Sequence, residues 1–217
     1  MYYRRRVILL LLGLAGSVLC AWTMVQQNVQ ITQNMIGFPH AVDSALILEG
    51  IVGYEGAFVE AGDEEVVDVA ALIVSNPTDQ TIQHAKINIQ YEGGTYEFVL
   101  SFLPPGKSAM VLEQNAQLWL SQQVFSCEAE YSLGGGLPED LLVQQMADGV
   151  VALTNTSDKS LKNIKLYHKN WSKEAGMYLG GIAYETYVGD LEPGQFSFLK
   201  PKYYIFGVSH IVDVYTD

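Results

Sequence analysis

The chain has 217 residues, 49% of them apolar and 11% aromatic, which is enough to bury a core and too apolar for wholesale disorder. Its three arginines, Arg4, Arg5 and Arg6, stand together near the N-terminus. The other nine basic residues are lysines set against 24 Asp and Glu, so the chain beyond residue 6 carries −15, a body that repels phosphate backbones, excludes nucleic acid as a partner and offers no polybasic patch to anionic lipid.

The first element follows the arginines. Val7 to Val25 reads VILLLLGLAGSVLCAWTMV, with only Ser17 and Thr23 polar. At helical rise it spans roughly 28 Å, about the thickness of a bilayer core. Basic residues before it and Gln26-Gln27-Asn28 after it set an orientation. Residues 1–6 are expected in the cytoplasm, 7–25 as a transmembrane signal-anchor helix in contact with the lipid bilayer, and the rest outside the cytoplasm. A cleaved signal peptide, with Val7–Leu14 as its apolar region and Ala15-Gly16-Ser17 as its cleavage site, is the competing reading. Residues 26–37 are polar and unpatterned and read as a stalk. Cys20 lies in the apolar run and Cys127 in a distant strand, so no intrachain disulfide is expected and the core alone must hold the fold.

Beyond the stalk, alternation begins. In AKINIQY, Ala85, Ile87, Ile89 and Tyr91 share one side, and Lys86, Asn88 and Gln90 the other. TYEFVLSF places Tyr96, Phe98, Leu100 and Phe102 inward, and FSCEAEY does the same with Phe125, Cys127, Ala129 and Tyr131. Period two is the mark of half-buried strands. Breakers separate them at Asn76-Pro77-Thr78-Asp79, Glu92-Gly93-Gly94 and Pro104-Pro105-Gly106.

The order then repeats. ALIVSNPTDQTIQHAKINIQY, from Ala71, aligns with VALTNTSDKSLKNIKLYHKN, from Val151, when Asn76 meets Asn155 and Lys86 meets Lys165. GIAYETYV takes the place of TYEFVLSF, LEPGQFSFL that of LPPGKSAMV, and HIVDVYTD that of CEAEYS. Pro105-Gly106 and Pro193-Gly194 suit type II turns, because proline presets φ at the second position and glycine accepts a positive φ at the third. The expected fold class is all-β, with two small sandwich domains in tandem behind one N-terminal transmembrane helix. The domains are 38–133 and 138–217, with a linker at 134–137.

These turn and core motifs resemble the small immunoglobulin-like domains of bacterial surface proteins, of the fibronectin type III or adhesion-related kind. The second copy, YHKN…YLGGIAYETYVGDLEPGQFSFLKPKYY, is similar to an uncharacterised C-terminal domain of exported proteins from clostridia-like Gram-positive bacteria. The resemblance covers 66–131 and 147–217. It implies a fold and transfers no catalytic or ligand residue.

Candidate sites are few. The acidic run of Glu60, Asp63, Glu64, Glu65 and Asp68 lacks the alternating ligand order of a calcium loop and reads as a solvated connection. His168 and His210 share phase with apolar neighbours and are expected as a hydrogen-bonded structural pair, with a metal or pH-sensing pair as the alternative. No nucleophile elbow, phosphate loop or zinc motif is present, so no enzyme activity, metal or cofactor is expected. One segment stands out. From Asn76 to Gly106 is 30 residues and from Asn155 to Gly194 is 39. The nine extra fall within His168–Gly181 and carry Lys169, Trp171, Lys173, Met177 and Tyr178. As an open loop these five would bind a partner, an envelope protein or a glycan; the alternative is that Trp171 folds back as a lid. The functional expectation is a non-catalytic interaction or scaffold role at the cell envelope. Carbohydrate binding, calcium binding and a passive spacer are the alternatives.

Overall fold

The computed structural model describes residues 37–217 except 58–64 and 121–123. The signal-anchor expected at 7–25, the stalk up to residue 36, Cys20 and most of the acidic run lie outside the described residues. Among the described residues no helix is long and apolar enough to cross a membrane.

The fold is all-β and sandwich-like. Its strands are β1 (His40–Ala41), β2 (Ile47–Ala57), β3 (Glu65–Ser75), β4 (Ile82–Tyr91), β5 (Gly94–Leu103), β6 (Ser108–Leu112), β7 (Val124–Leu133), β8 (Leu141–Met146), β9 (Val150–Asn155), β10 (Leu161–Ser172), β11 (Met177–Leu191), β12 (Phe196–Leu199) and β13 (Ser209–Tyr215). A 3-10 turn at Ala147–Gly149 joins β8 to β9.

Alternation governs burial in β4 and β5. Ile82, Ala85, Ile87 and Ile89 are closed to solvent on β4, as are Tyr96, Phe98 and Leu100 on β5. The rhythm then breaks. Phe102 has φ +48, which turns its ring out of the interior to stack on Tyr167 at 4.5 Å between centroids. Leu103 takes the inward place instead. The expected inward Phe102 is thus corrected, and the cause is one left-handed residue that shifts the side-chain parity by one.

The repeated sequence builds a repeated topology. In the first half, β2–β3–β6 form one run of neighbours and β5–β4–β7 another. In the second, β8–β9–β12 and β11–β10–β13 occupy the same places in the same order. The shared turns match atom for atom. Asn76 is buried; its Nδ2 donates to the carbonyls of Gln80 (2.7 Å) and Leu103 (2.9 Å), and its Oδ1 accepts from Thr78 N (3.0 Å) and Thr78 Oγ1 (2.7 Å). Asn155 does the same with Lys159 O (2.7 Å), Leu191 O (2.9 Å), Ser157 N (2.9 Å) and Ser157 Oγ (2.8 Å). Each asparagine carbonyl also accepts from a turn glycine, Gly106 N at 2.9 Å and Gly194 N at 3.0 Å. Those glycines have φ of +63 and +71, the region a type II turn requires and a side chain resists. The Asn-x-Thr/Ser motif therefore staples the end of one strand to the Pro-Gly turn and to a strand of the other layer.

The halves are not separate bodies. Gly37–Asp217 forms one compact unit, and a seven-stranded sheet in the order β1-β2-β3-β6-β11-β10-β13 runs through both halves. Its weld is the parallel pairing of β6 with β11, Ala109 against Tyr178 and Met110 against Leu179. This corrects the expectation of two domains merely linked at 134–137. Each half nevertheless keeps its own apolar interior. Leu141, Val151, Leu153, Ile164, Leu166 and Val214 cluster in the second half, while Leu46, Leu72, Ile87, Ile89, Phe98 and Leu100 are fully buried in the first.

The linker itself is clamped. Gly135 has φ +74, and a Cβ there would lie 2.7 Å from Asp213 Oδ2 and 2.9 Å from Gln83 Nε2. Gly136 N donates to Asp213 Oδ1 at 3.1 Å. Gly135→Ala should therefore destabilise by about 2 kcal/mol through backbone strain and crowding combined. Chemical denaturation checks it; an unchanged midpoint would show that the linker yields freely.

Candidate functional site

The five residues expected to meet a partner lie on a hairpin rather than an open loop. β10 and β11 are longer than β4 and β5, their counterparts, and they stay paired to the tip: Asn170 with Leu179, Trp171 with Tyr178 and Ser172 with Met177. Seven of the nine extra residues thus lengthen the two strands and two widen the turn between them, and that length lets β11 reach β6 of the other half.

Lys169 and Tyr178 point inward. Lys169 is 1% exposed, and its Nζ donates to the carbonyl of Ser101, in the first half, at 3.0 Å and to that of Gly181, in the second. Ser101 answers through its hydroxyl oxygen, which accepts from Ala183 N at 2.9 Å. Tyr178 is 2% exposed; its hydroxyl and His210 Nδ1 lie 3.0 Å apart. Burial pushes the phenol up to about 12. Trp171 is half-buried, edge-on to Tyr178 at 5.0 Å and stacked on His210 at 5.9 Å. The Lys107 ammonium, from the first half's Pro-Gly turn, sits 5.0 Å from the Trp171 ring centroid, a cation–π contact across the halves. Met177 is half-buried and Lys173 exposed. Placement removes Lys169 and Tyr178 from any partner-accessible surface, because both are used in joining the halves. For Trp171 the geometry is that of the lid.

The two histidines do not pair. His210 packs on Trp171 and Tyr178 at the seam, and His168 on Tyr184 (5.0 Å) and Tyr204 (5.4 Å) in the second half's interior. Burial lowers the His210 pKa, with the Lys107 charge adding to the effect. His168 is fully buried, and among the described residues neither ring nitrogen has a hydrogen-bond partner within normal geometry. Burial lowers its pKa to about 4, with the Tyr203 backbone acting weakly the other way.

This depressed value sets a pH dependence. Between pH 6.5 and about 4 the unfolded chain holds the proton and the folded chain does not, so stability falls as pH falls through that window and levels off below it. The loss should reach about 3 kcal/mol at most. His168→Phe keeps the ring stack and should remove this component of the acid sensitivity. Stability measured by denaturant at pH 7 and pH 4.5 checks it; the same pH slope in both proteins would rule His168 out.

Other polar groups serve the fold. Glu113 is buried, and its carboxylate accepts from Asn115 N at 2.8 Å, Gln117 N at 2.9 Å and Glu97 N at 3.3 Å. Cys127 is half-buried, and burial raises its thiol pKa, which keeps it a weak nucleophile. A shallow depression lined by Lys86, Asn88, Glu128 and Glu130 lies over β4 and β7. Among the described residues no group of three or more His, Cys, Asp or Glu is placed to hold a metal.

One surface escaped sequence reasoning. The outer side of β8–β9–β12 carries Leu142, Met146, Phe196 and Phe198, all exposed. In the repeat alignment the two phenylalanines stand where Ser108 and Met110 do in the first half. Their shared parity with Lys200 rather than with Leu199 was the signal that they face outward.

No family model matches the chain, and no curated protein does. Among solved structures it is similar to the crystal structure of red sea bream transglutaminase at 11% identity, with a TM-score of 0.20. That match covers 80% of this chain and 29% of the other, so the chain spans under a third of its length.

Proposed function

We propose that the chain is a non-catalytic interaction or scaffold module of a cell envelope. Its body is one compact unit of two welded, immunoglobulin-like sandwich halves, held outside the cytoplasm by a single membrane-spanning segment at 7–25. The observation carrying this reading is the employment of the buried polar groups. Asn76, Asn155 and Lys169 all bond backbone groups, and Glu113 accepts from three backbone amides. Asn76, Asn155 and Glu113 are committed in this way to the frame of their own half and Lys169 to the seam between the halves, which leaves surfaces, rather than a reactive cleft, as the working part. The −15 body and the Arg4–Arg6 flank support the orientation.

The test is protease accessibility of the full chain in intact cells, followed by crosslinking and capture from membranes. Digestion of the body from outside, and a crosslinked species that survives stringent washing, are the expected results. Protection of the body in intact cells would overturn the orientation. Failure to crosslink anything would leave the spacer reading in its place.

A further inference from the structure

The three-stranded sheet β12-β9-β8 has one face on the second half's core and one open to water. Side-chain parity assigns the outer face, on which Leu142, Met146, Phe196 and Phe198 are exposed while the central Ala152 is only 5% exposed. Val151 and Leu153 of β9 and Leu141 of β8 are buried in the core. Leu142, Gln144 and Met146 of β8, Val150, Ala152 and Thr154 of β9, and Phe196 and Phe198 of β12 look the other way. Register sets them in rows: Phe196–Thr154–Leu142, then Phe198–Ala152–Gln144, with Val150–Met146 beyond. Phe196 and Phe198 are 60% and 61% exposed, and their rings meet edge to face at 5.4 Å.

The repeat supplies the control. Matching Gly106 with Gly194 places Ser108 opposite Phe196 and Met110 opposite Phe198, and Ala71 of β3 opposite Val150. In the first half Ala71 and its neighbours Val69 and Leu112 are buried, with Met110 packed against them, and the free edge of β6 is taken by β11. Among the described residues no strand pairs with the outer edge of β12. At Phe196, Phe198 and Val150 the second half therefore carries larger apolar side chains than Ser108, Met110 and Ala71 of the first, while its central Ala152 is smaller than the matching Ile73. Two phenylalanines 60% and 61% exposed are the reverse of what solvation alone favours. An apolar patch of this kind on a sheet marks a contact surface.

Charge decides what covers it. The rows themselves are uncharged. Continuing the outward parity brings Asp140 to one corner, before Leu142, and Lys200 to the diagonally opposite corner, after Phe198; both are exposed. A bilayer would call for a basic collar, and the chain's net charge is −12. A second copy needs an uncharged centre and self-complementary corners, because a two-fold axis along the other diagonal lays each Lys200 over the partner copy's Asp140. We propose that the outer face of β8–β9–β12 is an isologous contact between two copies of this chain, sheet on sheet, centred on Phe196 and Phe198 and registered by Lys200 and Asp140. The contact does not depend on the body's being tethered.

The experiment is sedimentation of the full chain in a mild non-ionic detergent, comparing wild type with a Phe196→Ser, Phe198→Ser pair and with reversals at Asp140→Lys and Lys200→Asp. All variants share the N-terminal segment, so any association due to it cancels. Wild type should self-associate, and the Phe pair should raise the dissociation constant by at least about tenfold. Each single reversal should weaken association, and the double reversal should restore it. Circular dichroism establishes that each variant is folded; should the Phe pair unfold, the exposed corner reversals decide alone. A monomeric wild type, or equal association in all variants, overturns the contact. So does a monomer whose binding to phosphatidylcholine vesicles is lost in the Phe pair, since that outcome gives the face to lipid.

Discussion

Asn155→Ala should lower the folding free energy by about 3–4 kcal/mol, and Asn76→Ala should lower it by a similar amount. Each asparagine is within 1% of complete burial and makes four hydrogen bonds, two donated to carbonyls and two accepted. Alanine removes all four and leaves the carbonyl of Leu191, or of Leu103, without that donor in the interior. Each such bond contributes about 1 kcal/mol net, and the unmet carbonyl adds its desolvation cost. Asn155→Asp keeps the shape and both acceptances but loses both donations, so it should cost nearly as much at pH 7. A mild effect from the aspartate would show that the Oδ1 side alone carries the staple. Because Gly37–Asp217 is one unit, either alanine should move a single cooperative transition, readable by calorimetry.

The second large effect is at Lys169. Lys169→Met keeps the length and apolar stem but removes the ammonium that joins Ser101 O to Gly181 O across the halves. Charge-assisted bonds to buried carbonyls are among the stronger ones, so the loss should be about 2–4 kcal/mol. Its location gives it a second signature. Lys169, the Ser101 hydroxyl, the Phe102–Tyr167 stack and the Lys107–Trp171 contact all bridge the halves, so weakening the seam should split the thermal transition into two. One unsplit transition at the wild-type temperature would mean that the β6–β11 pairing holds the halves without the lysine.

Particular residues show how far the fold was legible in advance. β4 could be read almost residue by residue, because strict alternation is a local property of a strand with one wet face. β5 could be read only as far as Phe102. A left-handed φ at a bulky residue has no signature in the neighbouring letters, and the stack on Tyr167 that supports it comes from 65 positions away in the sequence. The turn motif around Asn76 and Asn155 was visible as a turn, but its role as a staple was not. Its key acceptors, Leu103 and Leu191, are brought close only when the layers pack.

The candidate site shows the same division. Nine extra residues, an aromatic pair and two lysines were apparent in the sequence, and they left an open partner-binding loop and a Trp171 lid as equal expectations. What turned that segment into a seam was a parallel pairing between β6 and β11, strands about 70 residues apart. Parallel pairing of remote strands depends on which edges happen to be open, a property of the assembled sheet rather than of either segment.

Strand positions within the repeated stretches, the duplicated order and the two glycine turns follow from the amino-acid order itself, since alternation and φ preference act within a few residues. Tertiary structure alone decided that the duplicates share one sheet and that Lys169 and Tyr178 are interior. Those outcomes depend on which edges and faces meet, and burial is settled by long-range packing that no short stretch of chain encodes.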